Sequence, residues 1–498
     1  MTFVVQNFLN EPYWDKVRIN MINRRNFLMA APLFFPGLHV LAGSVQAAPK
    51  DIDKAKELLD PGINLVHDGI NYAQKGKKNN IPPVLREEIS ENPRSVFLIR
   101  TDMQFERDQN GFFPAAKEEF QAAGYETALK IFRKGTSRGG TTYIKPNFVG
   151  GFNADERSLN CGHSTHPSFV IGFCDGLKGM GNTNIVVGSN GAATHEQFVQ
   201  SGICQMMHDH QICFTEGGRY VYSWKDYKKT DIAWVENPHG VVMVKIPFFK
   251  LVREKDTTLI DMAKTRNNVV GFTTLTIKNL QGILPVGYMH ICNPWDSGSG
   301  HGNKNTWSIK NTVSLQPSET IINPDYQKNI ERLYVKHAQM GYKHWDVGGQ
   351  AKAYFEAGGW DAYKKGSFKT NETLFWEEQW SQRMLDVASN VKPHVAMVEG
   401  ITGADGAGKI HLNNFIAVSP SMVECDTVTA WLMGHDPREL PYLRNANERG
   451  LGNNNIDTID IYEITGKGVE RIKDYRTIPR GRMGVNIYGK TEKDLRFF

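Results

Sequence analysis

Short apolar runs alternate with longer amphipathic stretches along most of the chain. The short runs are rich in β-branched and aromatic residues, and the longer stretches repeat apolar residues at helical spacing. Strands are predicted at residues 95–101, 141–146, 184–188, 211–215, 241–247, 258–262, 393–399, 415–419 and 458–462. Helices are predicted at residues 118–134, 167–179, 194–204, 423–433 and 439–448. This alternation predicts an α/β fold with a mostly parallel sheet and helices on both of its faces.

The middle of the chain departs from this alternation. Residues 281–330 are rich in Gly, Asn, Pro and Ser and lack periodicity, which predicts a long functional loop. Residues 330–390 are helical in pattern, so we expect a loop and helical insertion at about 283–390 inside one α/β domain over residues 95–465. A helical or extended segment at residues 49–94 and a C-terminal extension at residues 466–498 flank this domain.

The first 48 residues have the features of a twin-arginine export signal. The Arg24-Arg25 pair precedes an apolar run that begins at Phe27, and small residues end the segment at Ala48. Pro32 interrupts the run, which is shorter than the roughly 20 apolar residues that cross a bilayer. We therefore expect a cleaved signal, with Met21 as an alternative start, and no stable membrane span. The sequence predicts a periplasmic protein whose partner during export is the twin-arginine translocase.

Charge and cysteine content limit the other partners. The formal net charge is only +5 and the chain has no block of Lys and Arg, so nucleic acid is not expected. None of the 6 cysteines forms a C-x-x-C pair, so an iron–sulfur cluster is not expected either. Cys204 and Cys213 could close a short disulfide-bonded loop, but buried thiols are the preferred interpretation for most of the cysteines.

Short motifs occur in a characteristic order between about residue 95 and about residue 465. They are Ala128–Phe132, Gly139-Gly140, Tyr143–Asn147, Thr165–Pro167, Val186–Gly188, Met262–Arg266, Thr276–Gly282, Val398–Ile401, Gly403–Gly408, Ser419–Asp426, Leu432–Gly434 and Pro441–Gly452. This ordered set resembles the domain-of-unknown-function family 362. The resemblance implies an α/β fold and, in many members, an attached ferredoxin-like cluster segment, which this sequence does not contain.

The resemblance also implies candidate site residues. It places Lys264 in the family's central lysine motif and adds it to the catalytic candidates. It places Thr165, Gly188 and Asp405 in motifs that we assign to cofactor binding, without indicating which cofactor is bound.

Two Lys-Asn pairs are the main candidates for catalysis. Lys145 and Asn147 end a predicted strand, and Lys278 and Asn279 form the second pair. Ligands of parallel sheets bind outside the carboxyl ends of the strands. Two lysines converging on one cleft would bind an anion or a polarised carbonyl, or one of them would act as a base with a lowered pKa. The alternative is that each lysine is solvated in a turn.

Three acids could balance these lysines as proton acceptors or metal ligands. They are Glu399, Asp405 and Asp426. For Asp426, the alternative is that it caps the helix predicted to follow it.

Histidines are the candidates for metal binding. His163 and His166 are predicted as metal ligands, although their loop position and spacing are weak indicators. His208 and His210 are a weaker pair, because a helix end also favours their charge. The glycine-rich turn before Lys409 lacks the spacing of a phosphate-binding loop.

Two classes of function fit these features. The first is a periplasmic metal- or cofactor-dependent enzyme, redox or isomerising, that acts on a small anionic substrate. The second is a non-catalytic ligand-binding protein or an accessory protein for an exported redox partner.

Overall fold

A ten-stranded sheet lies at the centre of the protein. The structure is a computed structural model that describes residues 76–109, 113–148, 162–189, 202–216, 232–268, 272–284, 323–339, 370–405, 409–481 and 483. The predicted export signal lies outside these ranges, as does most of the predicted central loop. Among the helices of the described ranges, none combines the length and the apolar character that a membrane crossing requires.

The strands follow one another along the chain as expected for an α/β protein. They are β1 (Val84–Leu85), β2 (Val96–Arg100), β3 (Phe132–Arg133), β4 (Thr141–Pro146), β5 (Ile185–Ser189), β6 (Cys213–Glu216), β7 (Ile232–Glu236), β8 (Lys245–Phe249), β9 (Thr257–Asn268), β10 (Phe272–Thr273), β11 (Val395–Ala404), β12 (Ile410–Ser419), β13 (Ile461–Thr465) and β14 (Gly468–Arg471). The main sheet has the order β14-β13-β2-β12-β11-β9-β4-β5-β6, with β10 paired to β9. The β1–β3 and β7–β8 pairs form two small separate sheets.

Helices connect the strands. The α-helices are α1 (Glu87–Ser90), α2 (Lys117–Ile131), α3 (Pro167–Gly179), α4 (Ile203–Asp209), α5 (Lys250–Arg253), α6 (Thr276–Asn279), α7 (Tyr326–Gln339), α8 (Thr370–Ala388), α9 (Met422–Leu432) and α10 (Pro441–Glu448). Short 3-10 helices lie at Lys77–Asn79, Leu280–Ile283, Pro437–Glu439, Ile456–Thr458 and Tyr475–Thr477.

The main sheet is mostly parallel. Strands β13, β2, β11, β9, β4, β5 and β6 run in one direction, while β10, β12 and β14 run in the other. Parallel strands need crossover connections, and helices cover both faces as a result. The predicted α/β fold with a mostly parallel sheet is therefore confirmed.

Alternating side chains of the central strands enter two separate cores. Ile260 and Met262 of β9 pack with Phe120 of α2 and Phe169 of α3 on one face. Leu259, the neighbour of Ile260, belongs to the opposite core, which α8 and α9 help to form. This two-residue period fixes which face of the sheet each polar side chain of β9 reaches.

Helices α2 and α3 approach each other closely through glycines. A Cβ atom on Gly172 would lie 1.9 Å from the carbonyl oxygen of Gln121, and one on Gly124 would lie 2.0 Å from that of Phe169. Real Cβ atoms do not come this close, so larger residues at these positions would push the helices apart. The close packing holds α3, and the loop that precedes it, against the sheet.

Some element boundaries differ from the sequence prediction. Helix α4 begins at Ile203, because the φ angle of +74° at Gly202 excludes a helix that runs through this residue. Residues 194–201 of that predicted helix lie outside the described ranges. Strand β8 begins only at Lys245, because the Asp386 carboxylate accepts hydrogen bonds from the backbone N–H groups of residues 241–243 at 2.7–3.1 Å. The sequence did not predict β7.

Two cysteines confirm the buried-thiol interpretation. Cys174 and Cys425 are free and buried in the two cores. The side chains of Cys204 and Cys213, the predicted disulfide partners, lie outside the described part of the structure.

Candidate functional site

Charged side chains meet at two positions where parallel strands of the sheet are paired. Lys145 of β4 is the register partner of Asp261 of β9, and Lys264 of β9 is the register partner of Glu399 of β11. All four side chains are at least 98% buried. Charged groups are rarely buried in a sheet centre unless they are paired or functional. These two positions are therefore the strongest site candidates in the described structure.

The two pairs lie on opposite faces of the sheet. Asp261 and Lys264 are three residues apart on one strand, so their side chains point in opposite directions. We call Lys145, Asp261, Asn279 and Asp426 the Lys145 group, and His163, Lys264, Arg266, Glu399 and Thr402 the Lys264 group. Lys264, which the family resemblance added to the candidates, therefore lies on the opposite face of the sheet from Lys145.

An asparagine separates the charged residues of the Lys145 group. Lys145 Nζ donates hydrogen bonds to Asn279 Oδ1 at 3.0 Å and to the carbonyl oxygen of Pro146 at 2.6 Å. Asn279 Nδ2 donates to Asp261 Oδ1 at 2.6 Å and to the carbonyl oxygen of Lys145 at 2.8 Å. Because a carbonyl can only accept, the last contact fixes the orientation of the amide. Lys145 and Asp261 are connected through Asn279 rather than by direct contact.

Burial determines the ionisation of this pair. It lowers the pKa of Lys145 to about 7, against the opposing effect of Asp261. Burial also raises the pKa of Asp261 well above its usual value, although Asn279 and Lys145 oppose the shift. Both shifts favour an uncharged amine beside an uncharged carboxyl. A neutral amine has two N–H groups, which matches the two acceptors around Lys145 Nζ and leaves its lone pair available.

Asp426 caps a helix, but not the one that the sequence suggested. It lies inside α9, which begins at Met422, and its carboxylate reaches the first turn of α6. It accepts hydrogen bonds from Thr276 N at 2.8 Å, Thr276 Oγ1 at 2.6 Å and Ile277 N at 3.1 Å. Burial outweighs these bonds and raises the pKa of Asp426 to about 7. The capping contact positions α6, which carries Lys278 and Asn279.

The charges of the Lys264 group are in direct contact. Lys264 Nζ lies 2.6 Å from Glu399 Oε2 and donates to Thr402 Oγ1 at 3.1 Å. Glu399 also accepts hydrogen bonds from the backbone N–H groups of Ile401 at 2.9 Å and His166 at 3.3 Å. Here the ammonium and the carboxylate neutralise each other, unlike the pair on the other face. The Glu399 contact also joins β11 to the start of α3.

The two predicted metal ligands have different surroundings. His166 stacks on Phe120, its Nε2 donates to the carbonyl oxygen of Ala115 at 2.7 Å, and its Nδ1 accepts from Ser168 N at 3.2 Å. Both ring nitrogens are thus engaged, and His166 caps α3. His163 Nδ1 is buried and has no hydrogen-bond partner in the described structure. The described residues contain no cluster of three or more metal-ligating side chains.

Three other predicted residues, Asn147, Thr165 and Gly188, lie on or next to the strands that carry these groups. Asn147 N donates to Thr165 Oγ1 at 3.0 Å, and Thr165 Oγ1 donates to the carbonyl oxygen of Met262 at 3.1 Å. Gly188 leaves room for the hydroxyl of Tyr143, which would lie 1.8 Å from a Cβ atom there.

Lys278 and Asp405 have different surroundings. Lys278 is partly exposed, and its Nζ lies 5.3 Å from the centre of the Trp380 ring. Asp405 accepts hydrogen bonds from His411 Nε2 and Lys409 N, both at 3.0 Å. Lys278 is the sequence neighbour of Asn279 in the Lys145 group, and Asp405 is fully buried at the end of β11.

Sequence reasoning missed three members of these groups, and Thr402, which accepts a hydrogen bond from Lys264, had no signal in the sequence. Asp261 interrupts the apolar run of a predicted strand, and this isolated acid between Ile260 and Met262 was the available signal. Arg266 closes the lysine motif, where its spacing from Lys264 places both on one face of β9.

Comparison with known proteins identifies one related family. The family model described as "Domain of unknown function (DUF362)" matches residues 142–431. The matched stretch includes every residue of the Lys145 and Lys264 groups. No curated protein and no solved structure matches the chain.

Replacing Lys264 should destabilise the fold. Lys264→Met leaves the Glu399 carboxylate buried without its cation, so we expect a loss of about 3–5 kcal/mol in unfolding free energy at neutral pH. The double variant Lys264→Met, Glu399→Met should recover most of this loss. Urea unfolding measures both values, with Lys130→Met in a more exposed pair as the control. A single variant as stable as the wild type would contradict the contact.

Asp426 should make stability depend on pH. Its pKa of about 7 in the folded protein, against 3.8 ordinarily, means that the folded state holds more protons between these values. Its contribution to stability therefore falls as the pH rises from about 4 to about 7, and is constant above. Over this pH range, the unfolding free energy of wild type minus that of Asp426→Asn should fall by up to about 1.4 kcal/mol per pH unit.

Urea titrations at several pH values would measure this difference. Glu126→Gln, in an exposed ion pair, is the control and should give a difference that hardly changes. A constant difference for Asp426→Asn as well would rule out the raised pKa.

Proposed function

Because the chain belongs to the family described as "Domain of unknown function (DUF362)", and its matched stretch contains both buried groups, we propose that it is an enzyme that moves a proton on a small anionic substrate. The Lys145 group supports this proposal best. An amine whose pKa lies near neutral pH can both take up and release a proton, as a general base must. The observation that carries the proposal is the buried hydrogen-bonded chain from Lys145 through the uncharged Asn279 to Asp261, in which the amine does not touch the carboxyl group.

The proposed step is an isomerisation. The Lys145 amine takes a proton from a carbon beside a carbonyl, and the electron pair remains on the substrate as an enolate. The resulting ammonium returns the proton to the same carbon or to a conjugated one. Asn279 accepts a hydrogen bond from the ammonium and donates one to Asp261. Lys278 provides positive charge for the anionic group of the substrate. Binding at the carboxyl end of β4 agrees with the usual ligand position in parallel sheets.

Two other functions that the sequence predicts remain proposals. A redox reaction with a metal or another cofactor is the second enzymatic possibility, with His163 as the available imidazole. A non-catalytic binding or accessory role is the alternative to both enzymatic functions. In that role the protein would also bind a small anion.

Deuterium exchange would test the proposed reaction without knowledge of the product. A panel of small carboxylates and phosphate esters is first screened for thermal stabilisation of the protein. Each stabilising compound is then incubated in D2O with wild type, Lys145→Met or Lys409→Met, and followed by proton NMR. We expect exchange with wild type and with the exposed-lysine control, and a loss of at least about 100-fold with Lys145→Met.

Binding without exchange in wild type would favour the non-catalytic alternative. Elemental analysis of the same preparation, expressed with its own signal, tests the metal prediction.

We also propose that the protein reaches the periplasm folded, through the twin-arginine translocase. The Arg24-Arg25 pair and the small residues before Pro49 support this route.

Loss of the arginine pair should block export. The variant Arg24→Lys, Arg25→Lys should accumulate as precursor in the cytoplasm, because the translocase reads both guanidinium groups. Fractionation and immunoblotting measure the distribution, with Arg18→Lys as the matched control outside the motif. Undiminished periplasmic protein from the double variant would exclude this route.

A further inference from the structure

We propose that Asp426 is a positioning residue for Lys145. From inside α9, its carboxylate holds the single turn α6 in the place where Asn279 lies between Lys145 and Asp261. This role deepens the proposed function and rests on it for the identity of the base, whereas the proton affinity of Lys145 can be measured without any substrate. Three features support it: the helix that carries Asp426, the face of α6 that it binds, and its charge next to Asp261.

Helix α9 holds Asp426 against the sheet. All of its 11 residues except Met422 are buried, and the Asp426 side chain is fully buried. The thiol of Cys425 lies 3.7 Å from the carbonyl oxygen of Ala396 and 3.9 Å from that of Ala417, which belong to β11 and β12. The position of the Asp426 carboxylate is therefore set by α9 and the sheet rather than by α6.

Helix α6 is too short to hold its own position. It has 4 residues, and a single helical turn is unstable without contacts outside it. Ile277 packs in the core that α8 and α9 help to form, but apolar contact is not directional. The N–H groups of a first turn have no partner within the helix, and here Thr276 N and Ile277 N both donate to Asp426, as does Thr276 Oγ1. These directed bonds fix how the turn is rotated against the sheet.

The face of α6 that binds Asp426 also carries Asn279. Thr276 and Asn279 are three residues apart, which places them on one face of a helix. At the Asn279 end of this face, the amide Oδ1 lies 3.0 Å from Lys145 Nζ, and the amide Nδ2 lies 2.6 Å from Asp261 Oδ1. A turn displaced at Thr276 would move the amide out of the gap between the lysine and the acid. Asp426 therefore acts on Lys145 through Asn279.

The charge of Asp426 acts in the same direction as its hydrogen bonds. Burial is the main cause of the raised pKa of Asp261, and the negative charge of Asp426 raises it further. An ionised Asp261 would raise the pKa of Lys145, against the stronger effect of burial. Asp426 makes Asp261 harder to ionise, so it makes the lysine easier to deprotonate. Cys425 is a further titratable group beside both acids, and burial raises the pKa of its thiol, so it stays uncharged. Lys278, the charged residue of α6, is partly exposed.

An NMR titration of Lys145 would test this role. The protein is labelled with carbon-13 at the lysine Cε and titrated over the pH range in which it stays folded. The Lys145 signal is the one that is missing from Lys145→Met. Asp426→Asn removes the charge and replaces one carboxylate oxygen by an amide nitrogen that cannot accept a hydrogen bond. We expect the pKa of Lys145 to rise from about 7 by at least about one pH unit in this variant.

A second acid of α9 provides the control for a general loss of stability. Glu424 is also buried, but its carboxylate accepts hydrogen bonds from Arg94 Nη1 at 2.9 Å and from Asn453 N at 3.1 Å, away from α6. Glu424→Gln should lower the stability of the protein, because these contacts weaken. It should leave the titration of Lys145 as in wild type.

A pair of variants at Thr276 separates the hydrogen bonds from the charge. Thr276→Val removes the bond from Thr276 Oγ1 to Asp426 and keeps the carboxylate, so the pKa of Lys145 should rise by less than in Asp426→Asn. Thr276→Ser keeps the hydroxyl and should titrate like wild type. This pair also tests the role if Asp426→Asn does not fold.

Two results would overturn the proposal. One is a Lys145 titration that is unchanged in both Asp426→Asn and Thr276→Val. The other is an equal rise of the pKa in Glu424→Gln, which would show a general loosening of α9. A shifted titration in a protein that exchanges no substrate would support the positioning role and contradict the proposed reaction. Exchange that requires Lys145, together with an unchanged titration, would do the reverse.

Discussion

The burial of charge on both faces of β9 is the constraint on which the rest of this structure depends. The strand lies between β11 and β4 in a sheet whose two faces are covered, so water cannot solvate Asp261 or Lys264. Uncompensated charges in such positions cost several kcal/mol each. Each neighbouring strand supplies a partner in register, and α6 and the loop before α3 supply additional hydrogen bonds. Helix placement around the centre of the sheet is thus linked to charge compensation as well as to apolar packing.

The sequence predicted the fold better than it predicted the site. Period and composition identify α3 and β4 with their bounds, because apolar burial on a covered sheet leaves a direct pattern. They fail at β8, where the carboxylate of Asp386, far away in sequence, binds the backbone that would have extended the strand. Such a long-range contact has no local signal.

The candidate residues could be named from the sequence, but the strand pairing that groups them could not. Motif order indicated Lys145, Lys264 and Glu399, whereas one shared cleft was expected for Lys145 and Lys278, the lysines of the two Lys-Asn pairs. Whether a lysine points to one face or the other depends on the pairing of strands that are distant in sequence. Asp261 was missed for the same reason, since its importance appears only when β4 is placed beside β9.

The two lysine–acid pairs show how one kind of residue acquires two roles. Lys264 touches its carboxylate at 2.6 Å, so the ion pair is compact and joins β9 to β11. Lys145 instead meets the amide of Asn279 at 3.0 Å, and the amide rather than the amine contacts Asp261. An amide carries no charge to stabilise an ammonium, so burial dominates and the proton is held weakly. A lysine in direct contact with a carboxylate is suited to structure, whereas one separated from it by a neutral group is suited to exchanging a proton. By this criterion Asn279 is the residue that makes Lys145, rather than Lys264, the candidate base.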